Sequence, residues 1–270
     1  MNILFKKSIP NFITLSNLFL GFTSIVLLSL SLTDEYYYVS TACYLILISC
    51  CLDTIDGKIA RKLNISSEFG KEIDSLADLV SFCIVPSLLI FVHYMLVMPK
   101  QINFILLLLL SSFPLIFGAI RLAKYNALRE MRESQKYLGL PTPANAILVC
   151  SLILFVHNIP YRTIINSSNI FFNIFNIFFI NEFIILYVSL ISSVLLMSKV
   201  NYEKFPLISF NINRRNSMDL LKVIFFLVIL ITSIYYKYYD VVLLLFIMLY
   251  IYGNLLKYIF YKFTNNNKEV

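Results

Sequence analysis

The sequence predicts an all-α protein, a polytopic transmembrane helix bundle of about eight spans. Of its 270 residues, 59% are hydrophobic and only 14% are charged, whereas about 25% of the residues of a soluble domain are charged. Apolar runs of about 20 residues, the length that crosses a bilayer as a helix, recur along the chain. These observations exclude a soluble globular protein and a disordered chain. The basic residues are scattered between the apolar runs, so the net charge of +7 does not indicate a nucleic-acid-binding protein.

The apolar runs define the predicted spans to within a few residues. They cover residues 11–32, 38–57, 75–97, 102–122, 143–159, 181–199, 219–236 and 241–261. The first run follows Lys6 and Lys7, as the apolar part of a signal peptide would, but it ends without a small-residue cleavage site. We therefore expect a first transmembrane helix there.

The distribution of lysine and arginine predicts the orientation of these helices. With a cytoplasmic N-terminus, 19 of the 22 basic residues fall on the inner side, and only Lys100, Arg162 and Lys237 fall on the outer side. Cytoplasmic loops carry such an excess of positive charge. We therefore expect a protein of the cell (inner) membrane with both termini in the cytoplasm.

The loop before the sixth predicted span has an unusual composition. Asparagines at helical spacing, with phenylalanines between them, occupy residues 166–179. The pattern is typical of an amphipathic helix in the outer interface. It fits an earlier start of the sixth span equally well, and both interpretations stay open.

Four of the 15 acidic residues fall within 26 residues, at the junction of the second and third predicted spans. They are Asp53, Asp56, Asp74 and Asp78. The spacing is three residues in the first pair and four in the second, so each pair shares one face of its helix. The 15 residues before Asp53 in the second span form about 22 Å of helix, which places this residue near the cytoplasmic edge of the hydrocarbon. The third span runs outward from Asp78, so we expect the four carboxylates to converge at that edge.

Four carboxylates in partly dry surroundings repel each other, and they must protonate, pair with basic residues or bind divalent cations. The neighbouring Arg61 and Lys62 cannot neutralise all four. Oxygen ligands from two helices suit Mg²⁺ or Mn²⁺. Gly57 and Ala60 share the face of the first acidic pair, and such small residues leave space for a ligand beside the charges. Close helix packing would explain these small residues but not the acids.

Other reactive residues do not form a recognisable catalytic pattern. All five cysteines lie inside apolar runs without a metal-type pair, as small apolar residues do. His93 and His157 fall near the outer ends of their spans, far from the acids. The sequence therefore has no apparent Ser-His-Asp or Cys-His arrangement of the kind that forms a covalent enzyme intermediate.

The acidic segment resembles the signature of the CDP-alcohol phosphotransferase family at each of its eight specified positions. In this sequence it reads Asp53-x2-Asp56-Gly57-x2-Ala60-Arg61-x8-Gly70-x3-Asp74-x3-Asp78. The resemblance implies transfer of a phosphatidyl or phosphoalcohol group from a CDP-linked donor to an alcohol, with release of CMP. It also implies a six-helix core, which we place in residues 1–200, followed by a loop and two further spans in residues 201–262 and a polar tail in residues 263–270.

Three flanking segments resemble the bacterial members of this family that use CDP-diacylglycerol as donor and L-serine as acceptor. The segments are Ile9–Gly21, Arg121–Asn126 and Gly139–Ala146. The last contains Gly-Leu-Pro-Thr-Pro, with Asn145 at a position where a small residue is more usual. Family members commonly pair, so the resemblance also implies a homodimer surrounded by membrane lipids.

The resemblance implies roles for the signature residues. Asp53, Asp56 and Asp74 would bind the metal. Asp78 would both approach the metal and serve as general base on the serine hydroxyl. Neighbouring carboxylates can raise the proton affinity of a carboxylate, which suits a base.

The remaining positions of the signature would bind the donor, CDP-diacylglycerol. Gly57 and Ala60 would flank the cytidine, and Arg61 would meet the diphosphate. Gly70 would permit the turn into the third helix or the approach of the nucleotide.

Four further residues have two interpretations each. Thr14 and Asn17 either line the nucleotide site or form hydrogen bonds between helices. Arg121 and Lys124, at the inner end of the fourth span, either hold the donor's phosphate or the serine carboxylate, or only contribute to the positive inner side.

Two alternative functions fit parts of the pattern. An ion-coupled transporter also has intramembrane acids, but its sites lie near the midplane and come with inverted repeats, and we find no such repeat here. A member of the same family with another acceptor, such as choline, glycerol 3-phosphate or inositol, is the alternative inside the family.

Overall fold

A computed structural model of the chain describes residues 3–33, 37–62, 68–98, 101–129, 137–165, 183–202, 228–229 and 231–266. The helices with assigned bounds are α1 (Ile3–Ser31), α2 (Tyr37–Lys62), α3 (Glu68–Asp78), α4 (Val85–Val97), α5 (Phe104–Ser111), α6 (Phe113–Arg129), α7 (Thr142–Ile165), α8 (Ile184–Leu196) and α9 (Tyr239–Asn266). The described residues 228–229 and 231–235 are also helical. A π-helical segment (Leu79–Ile84) joins α3 to α4 without a break. Two short strands, β1 (Tyr137–Leu138) and β2 (Asn201–Tyr202), pair antiparallel.

The apolar helices confirm the predicted fold class. Five described stretches are long and apolar enough to cross a membrane: Pro10–Ser31, Tyr37–Ile59, Glu68–Val97, Phe104–Ala127 and Tyr239–Lys262. Two shorter apolar helices, Thr142–Asn158 and Ile184–Leu196, coincide with the fifth and sixth predicted spans. Most of the seventh predicted span, and the asparagine- and phenylalanine-rich stretch 166–179, lie outside the described residues.

The third membrane helix begins earlier than the predicted residue 75. α3 begins at Glu68, and its first two turns contain Lys71, Glu72 and Asp74. α3 is amphipathic, so these turns contain polar as well as apolar residues. A search for continuous apolar runs therefore places the start of this helix too late. Asp74 and Asp78 therefore lie inside a helix that begins six residues before Asp74.

The π-helical segment lies directly after Asp78. The N–H of Val85 donates to the carbonyl of Val80, five residues earlier. The following Pro86 has no N–H, and in a regular α-helix its ring would clash with the carbonyl four residues earlier. A wider turn accommodates this proline, and such π-bulges are frequent at functional sites.

The C-terminal half of α2 lies beside α3, through Asp53, Asp56 and Asp74, and α2 also packs against α7. α1 packs against α2 and α3, and α7 packs against α2, α8 and α9. Phe82, Tyr94 and Phe155 are among the largest fully buried side chains. α1 has three exposed phenylalanines, Phe12, Phe19 and Phe22. Apolar side chains can be exposed in this way on a membrane helix, because the surrounding lipid tails are also apolar.

The glycine-containing segment before α7 is fixed by α8 and the residues that follow it. Gly139 has φ +83°, a conformation that glycine adopts without strain. Its N–H donates to Val200 O at 2.9 Å, and the N–H of Leu140 donates to Leu195 O at 3.0 Å. A Cβ at position 139 would collide with the carbonyl oxygen of Leu196. This attachment sets the position of the first turn of α7.

Candidate active site

The structure brings three carboxylates from two helices into one cluster. One oxygen each of Asp53 and Asp56 on α2 and of Asp74 on α3 lies within 4.8 Å of the others. Asp56 is 4% exposed, and the other two are partly buried. Oxygen ligands that surround Mg²⁺ at about 2.1 Å lie about 3–4 Å from each other. The three carboxylates therefore fit a small divalent cation with only slight closure.

Asp78 adds a fourth carboxyl group beside this cluster. It lies next to Asp53, outside the three residues whose oxygens lie within 4.8 Å of one another. Its Oδ1 is buried and has no hydrogen-bond partner among the described residues. The two acidic pairs thus converge, as the spacing predicts, and Asp78 has an oxygen that is available to a ligand.

Thr14 is positioned on the acidic cluster. Its Oγ1 lies 2.9 Å from Asp56 Oδ2 and 3.0 Å from the carbonyl oxygen of Pro10. Its hydroxyl proton can therefore orient the carboxylate, as outer hydrogen bonds orient metal ligands in proteins. Of the two interpretations of Thr14, the structure favours a hydrogen bond between helices that ends on a signature residue.

Asn17 forms hydrogen bonds between helices and is 0% exposed. The hydroxyl of Ser49 on α2 donates to Asn17 Oδ1. The hydroxyl of Ser81, in the π-helical segment, donates to the backbone oxygen of Asn17 at 3.1 Å. Sequence reasoning missed Ser49 and Ser81. Their only signal in the sequence is that they are polar residues within apolar spans. This signal is weak, because the hydroxyl of a buried serine commonly forms its hydrogen bond with the backbone of its own helix.

Arg121 reaches the first turn of α7. Its Nη1 donates to Thr142 Oγ1 at 3.4 Å. Gly118, one turn before Arg121 on α6, lies against Cys83 of the π-helical segment that follows Asp78. Lys124, one turn further along α6, is exposed.

A second contact joins α6 to α3 beside the acids. Asn126 Nδ2 donates to Ser75 Oγ at 2.9 Å. Ser75 directly follows Asp74 in the sequence. The segment Arg121–Asn126 therefore contacts both α7 and α3, the helix that carries Asp74.

The small residues of the signature are only partly described. Gly57 is partly buried on α2, one residue after Asp56. Ala60 and Arg61 belong to the last turn of α2, but their side chains lie outside the described residues. Gly70 is the third residue of α3. The residues before this helix lie outside the described ones, so both interpretations of Gly70, the turn into the helix and the approach of the nucleotide, stay predictions.

A comparison with protein-family models identifies the family of this chain. The model of the CDP-alcohol phosphatidyltransferase family matches residues 7–195. This range includes most of α1, the whole of α2 to α7 and nearly all of α8, together with all four carboxylates.

Curated proteins with related sequences share one name. A CDP-diacylglycerol–serine O-phosphatidyltransferase of Helicobacter pylori strain J99 is 39% identical over 146 residues, which are 54% of this chain and 56% of that protein. The proteins of the same name from Bacillus subtilis strain 168 and Methanocaldococcus jannaschii are 34% and 28% identical. These two alignments cover 56% and 74% of this chain, and 77% and 75% of the respective relatives. The chain thus matches little more than half the length of its Helicobacter relative.

Proposed function

Because the chain belongs to the CDP-alcohol phosphatidyltransferase family, we propose that it is an integral membrane phosphatidyltransferase of phospholipid biosynthesis. It converts CDP-diacylglycerol and L-serine to phosphatidylserine and CMP. The observation that carries this proposal is the cluster of Asp53, Asp56 and Asp74, from two membrane helices, whose oxygens lie within 4.8 Å of one another. Asp78 lies next to Asp53. The names of the relatives support serine as the acceptor.

Asp53, Asp56 and Asp74 hold the divalent cation, Mg²⁺ or Mn²⁺, and Asp78 approaches it. The distances between their oxygens fit such an ion. A cation bound there supplies positive charge to the diphosphate and to the departing CMP oxygen. Thr14 keeps the carboxylate of Asp56 oriented toward the ligand through its hydrogen bond.

Asp78 accepts the proton of the serine hydroxyl. The hydroxyl oxygen attacks the phosphorus that carries diacylglycerol, the new O–P bond forms, and the bond from this phosphorus to the CMP oxygen breaks. The buried Oδ1 of Asp78, which no described residue contacts by a hydrogen bond, is the acceptor for this proton. Transfer is direct and passes through no covalent enzyme intermediate.

The other signature residues bind the donor. Gly57 and Ala60 flank the cytidine, Arg61 contacts the diphosphate, and Gly70 allows the nucleotide to approach α3. Asn17 supports these donor-binding residues indirectly, because its hydrogen bonds join α1 to α2 and to the π-helical segment.

Arg121 binds the serine carboxylate and Lys124 the donor's phosphate. The contact of Arg121 with Thr142 supports the first assignment, because it directs the guanidinium to the first turn of α7, which packs against α2. The exposed position of Lys124 supports the second, because the diphosphate enters from the cytoplasmic surface.

We extend the proposal to the organisation of the protein. The catalytic core is residues 1–200, residues 201–262 add a loop and two spans, and residues 263–270 form a polar tail. The protein forms a homodimer in the cell (inner) membrane, with both termini and the active site facing the cytoplasm. The excess of basic residues on that side supports this orientation.

A panel of acceptors tests the reaction. Purified protein is incubated with CDP-diacylglycerol, Mn²⁺ or Mg²⁺, and serine, choline, glycerol 3-phosphate or inositol in separate reactions. CMP release with serine alone is expected. Release with another alcohol alone would replace serine by that acceptor. Uptake of serine or metal into vesicles without CMP release would instead indicate a transporter.

A further inference from the structure

Asn145 is a buried amide whose polar atoms have no described partner. It is the fourth residue of α7 and is 1% exposed. Neither its Oδ1 nor its Nδ2 has a hydrogen-bond partner among the described residues. A carboxamide offers two donor hydrogens and an acceptor oxygen, and burying them without partners is costly. Such a group requires an explanation, and a ligand that is absent from the structure is one.

The helix face that carries Asn145 also contacts Arg121. Thr142 and Asn145 are three residues apart on α7, so their side chains share one face. Thr142 Oγ1 accepts the hydrogen bond from Arg121. The methyl group of Thr142 and Cys83 both approach Gly118. This face therefore looks toward α6 and the π-helical segment that begins directly after Asp78.

The opposite side of the first turn of α7 packs against α2, which carries Asp53 and Asp56. The carbonyl oxygen of Pro143 lies 3.8 Å from Cys50 Sγ, and Cys50 is one turn before Asp53 on α2. The first turn of α7 is thus held between α2 and α6, next to the acidic cluster. A small polar molecule bound at this turn would contact Arg121, which donates to Thr142 Oγ1, and would lie beside α2, the helix that carries Asp53.

We propose that Asn145 strengthens the binding of the acceptor in this chain by holding the ammonium group of an amino-acid alcohol, at a position where similar chains carry a small residue. The inference rests on the proposed function and assigns to it a residue outside the family signature. A zwitterionic acceptor brings a carboxylate, which pairs with the Arg121 guanidinium. Its ammonium then needs hydrogen-bond acceptors, because it offers three donors and no acceptor. Asn145 Oδ1 and Thr142 Oγ1 supply them, and Asn145 Nδ2 donates to the acceptor's carboxylate.

The test compares Asn145→Leu and Asn145→Ala with the wild-type chain. Leucine has a similar size and removes the polar atoms that lack described partners, so it should keep or raise the Tm. Both variants should raise the KM for serine at least tenfold and change the KM for CDP-diacylglycerol by less than twofold. The matched control is Ser40→Ala. Ser40 is also buried with an Oγ that lacks a described partner, but it lies about 20 Å from Asp53 along α2, and this variant should keep the wild-type KM for serine.

A change in the acceptor separates specificity from general damage. Glycerate has a hydroxyl where serine has its ammonium. The wild-type chain should prefer serine to glycerate, and both Asn145 variants should lose at least tenfold of that preference. An unchanged KM for serine, an unchanged preference or unfolding of both variants would overturn the inference and leave the proposed function intact. A wild-type chain that releases CMP with another acceptor, but not with serine, would overturn both.

Discussion

Thr14 on α1 donates a hydrogen bond to Asp56 on α2, with 2.9 Å between Thr14 Oγ1 and Asp56 Oδ2. The bond couples the first membrane helix to the carboxylate cluster. A residue outside the acidic signature thus fixes the orientation of a signature carboxylate. Hydrogen bonds of this kind commonly contribute a factor of about 10–100 to metal affinity or activity.

Replacing this hydroxyl should weaken metal binding. We expect Thr14→Val to raise the divalent-cation concentration at half-maximal activity by about tenfold, because the carboxylate of Asp56 loses its orienting donor. Thr14→Ser should stay within about threefold of wild type, since it keeps the hydroxyl. Titration of activity with Mn²⁺ measures both. Thr23→Val is the matched control, because the Thr23 hydroxyl is exposed and bonds only to its own helix. Equal effects at positions 14 and 23 would contradict the assignment.

The carboxylates should separate into binding and proton-accepting groups. Asp74→Asn should lower Mn²⁺ affinity at least about tenfold, because it removes a charged ligand from the cluster. Asp78→Asn should abolish CMP release while part of the metal and CDP-diacylglycerol binding survives, because an amide cannot accept the proton. Paramagnetic resonance of bound Mn²⁺ and CMP release measure the two effects. Glu72→Gln on the same helix is the control, since Glu72 is exposed. A fully active Asp78→Asn enzyme would remove Asp78 from its role as base.

Arg121 should contribute to acceptor binding through its charge and its planar geometry. Arg121→Ala should raise the KM for serine at least about tenfold, the loss expected for one hydrogen bond to a charged group. Arg121→Lys should lie between this variant and wild type, because lysine keeps the charge but not the two-pronged geometry. Steady-state kinetics with serine varied at saturating donor provide the measurement. Unchanged kinetics in both variants would leave Arg121 as part of the positive inner side only.

The contact between α1 and the π-helical segment should control stability. A Cβ on Gly21 would collide with Ser81 Oγ, so Gly21→Ala should lower the free energy of unfolding by about 1–3 kcal/mol through overpacking. Gly253 on α9 has nothing within 4 Å of such a Cβ. Gly253→Ala should therefore raise the free energy of unfolding by up to about 1 kcal/mol, the helix-propensity difference between these residues.

Thermal unfolding in detergent compares the two glycine variants. Ser81→Ala added to Gly21→Ala should restore part of the loss, because it removes the atom in closest contact. Full restoration is not expected, since the Cα and Cβ of residue 81 also lie 3.2 Å from the position that the added carbon would occupy. Similar Tm changes for Gly21→Ala and Gly253→Ala would contradict the packing described here.

The positions of the acidic residues could be predicted because they depend on local geometry. Spacings of three and four residues place Asp53 with Asp56, and Asp74 with Asp78, on shared helix faces. The lengths of the flanking apolar runs bring both pairs to one depth. Helix periodicity and bilayer thickness are sufficient for this prediction.

The surroundings of the cluster could not be predicted, because they depend on how each helix is rotated about its axis. Thr14 contacts Asp56 while Asn17, one turn later, contacts Ser49 and Ser81. Both residues lie on one face of α1, so their spacing alone does not separate a role at the site from a role in packing. The π-helical segment has no periodic signal, because it is short and mostly apolar; Pro86 was its only local sign.

The central claim is that the carboxylates of α2 and α3 form a metal-dependent site for phosphatidyl transfer to serine. The most direct test measures CMP release from CDP-diacylglycerol by purified protein after chelation, with serine present. We expect no release after chelation and full recovery when Mg²⁺ or Mn²⁺ is added back, with no recovery in Asp53→Asn under the same conditions. Undiminished serine-dependent release by the chelated protein would contradict the account.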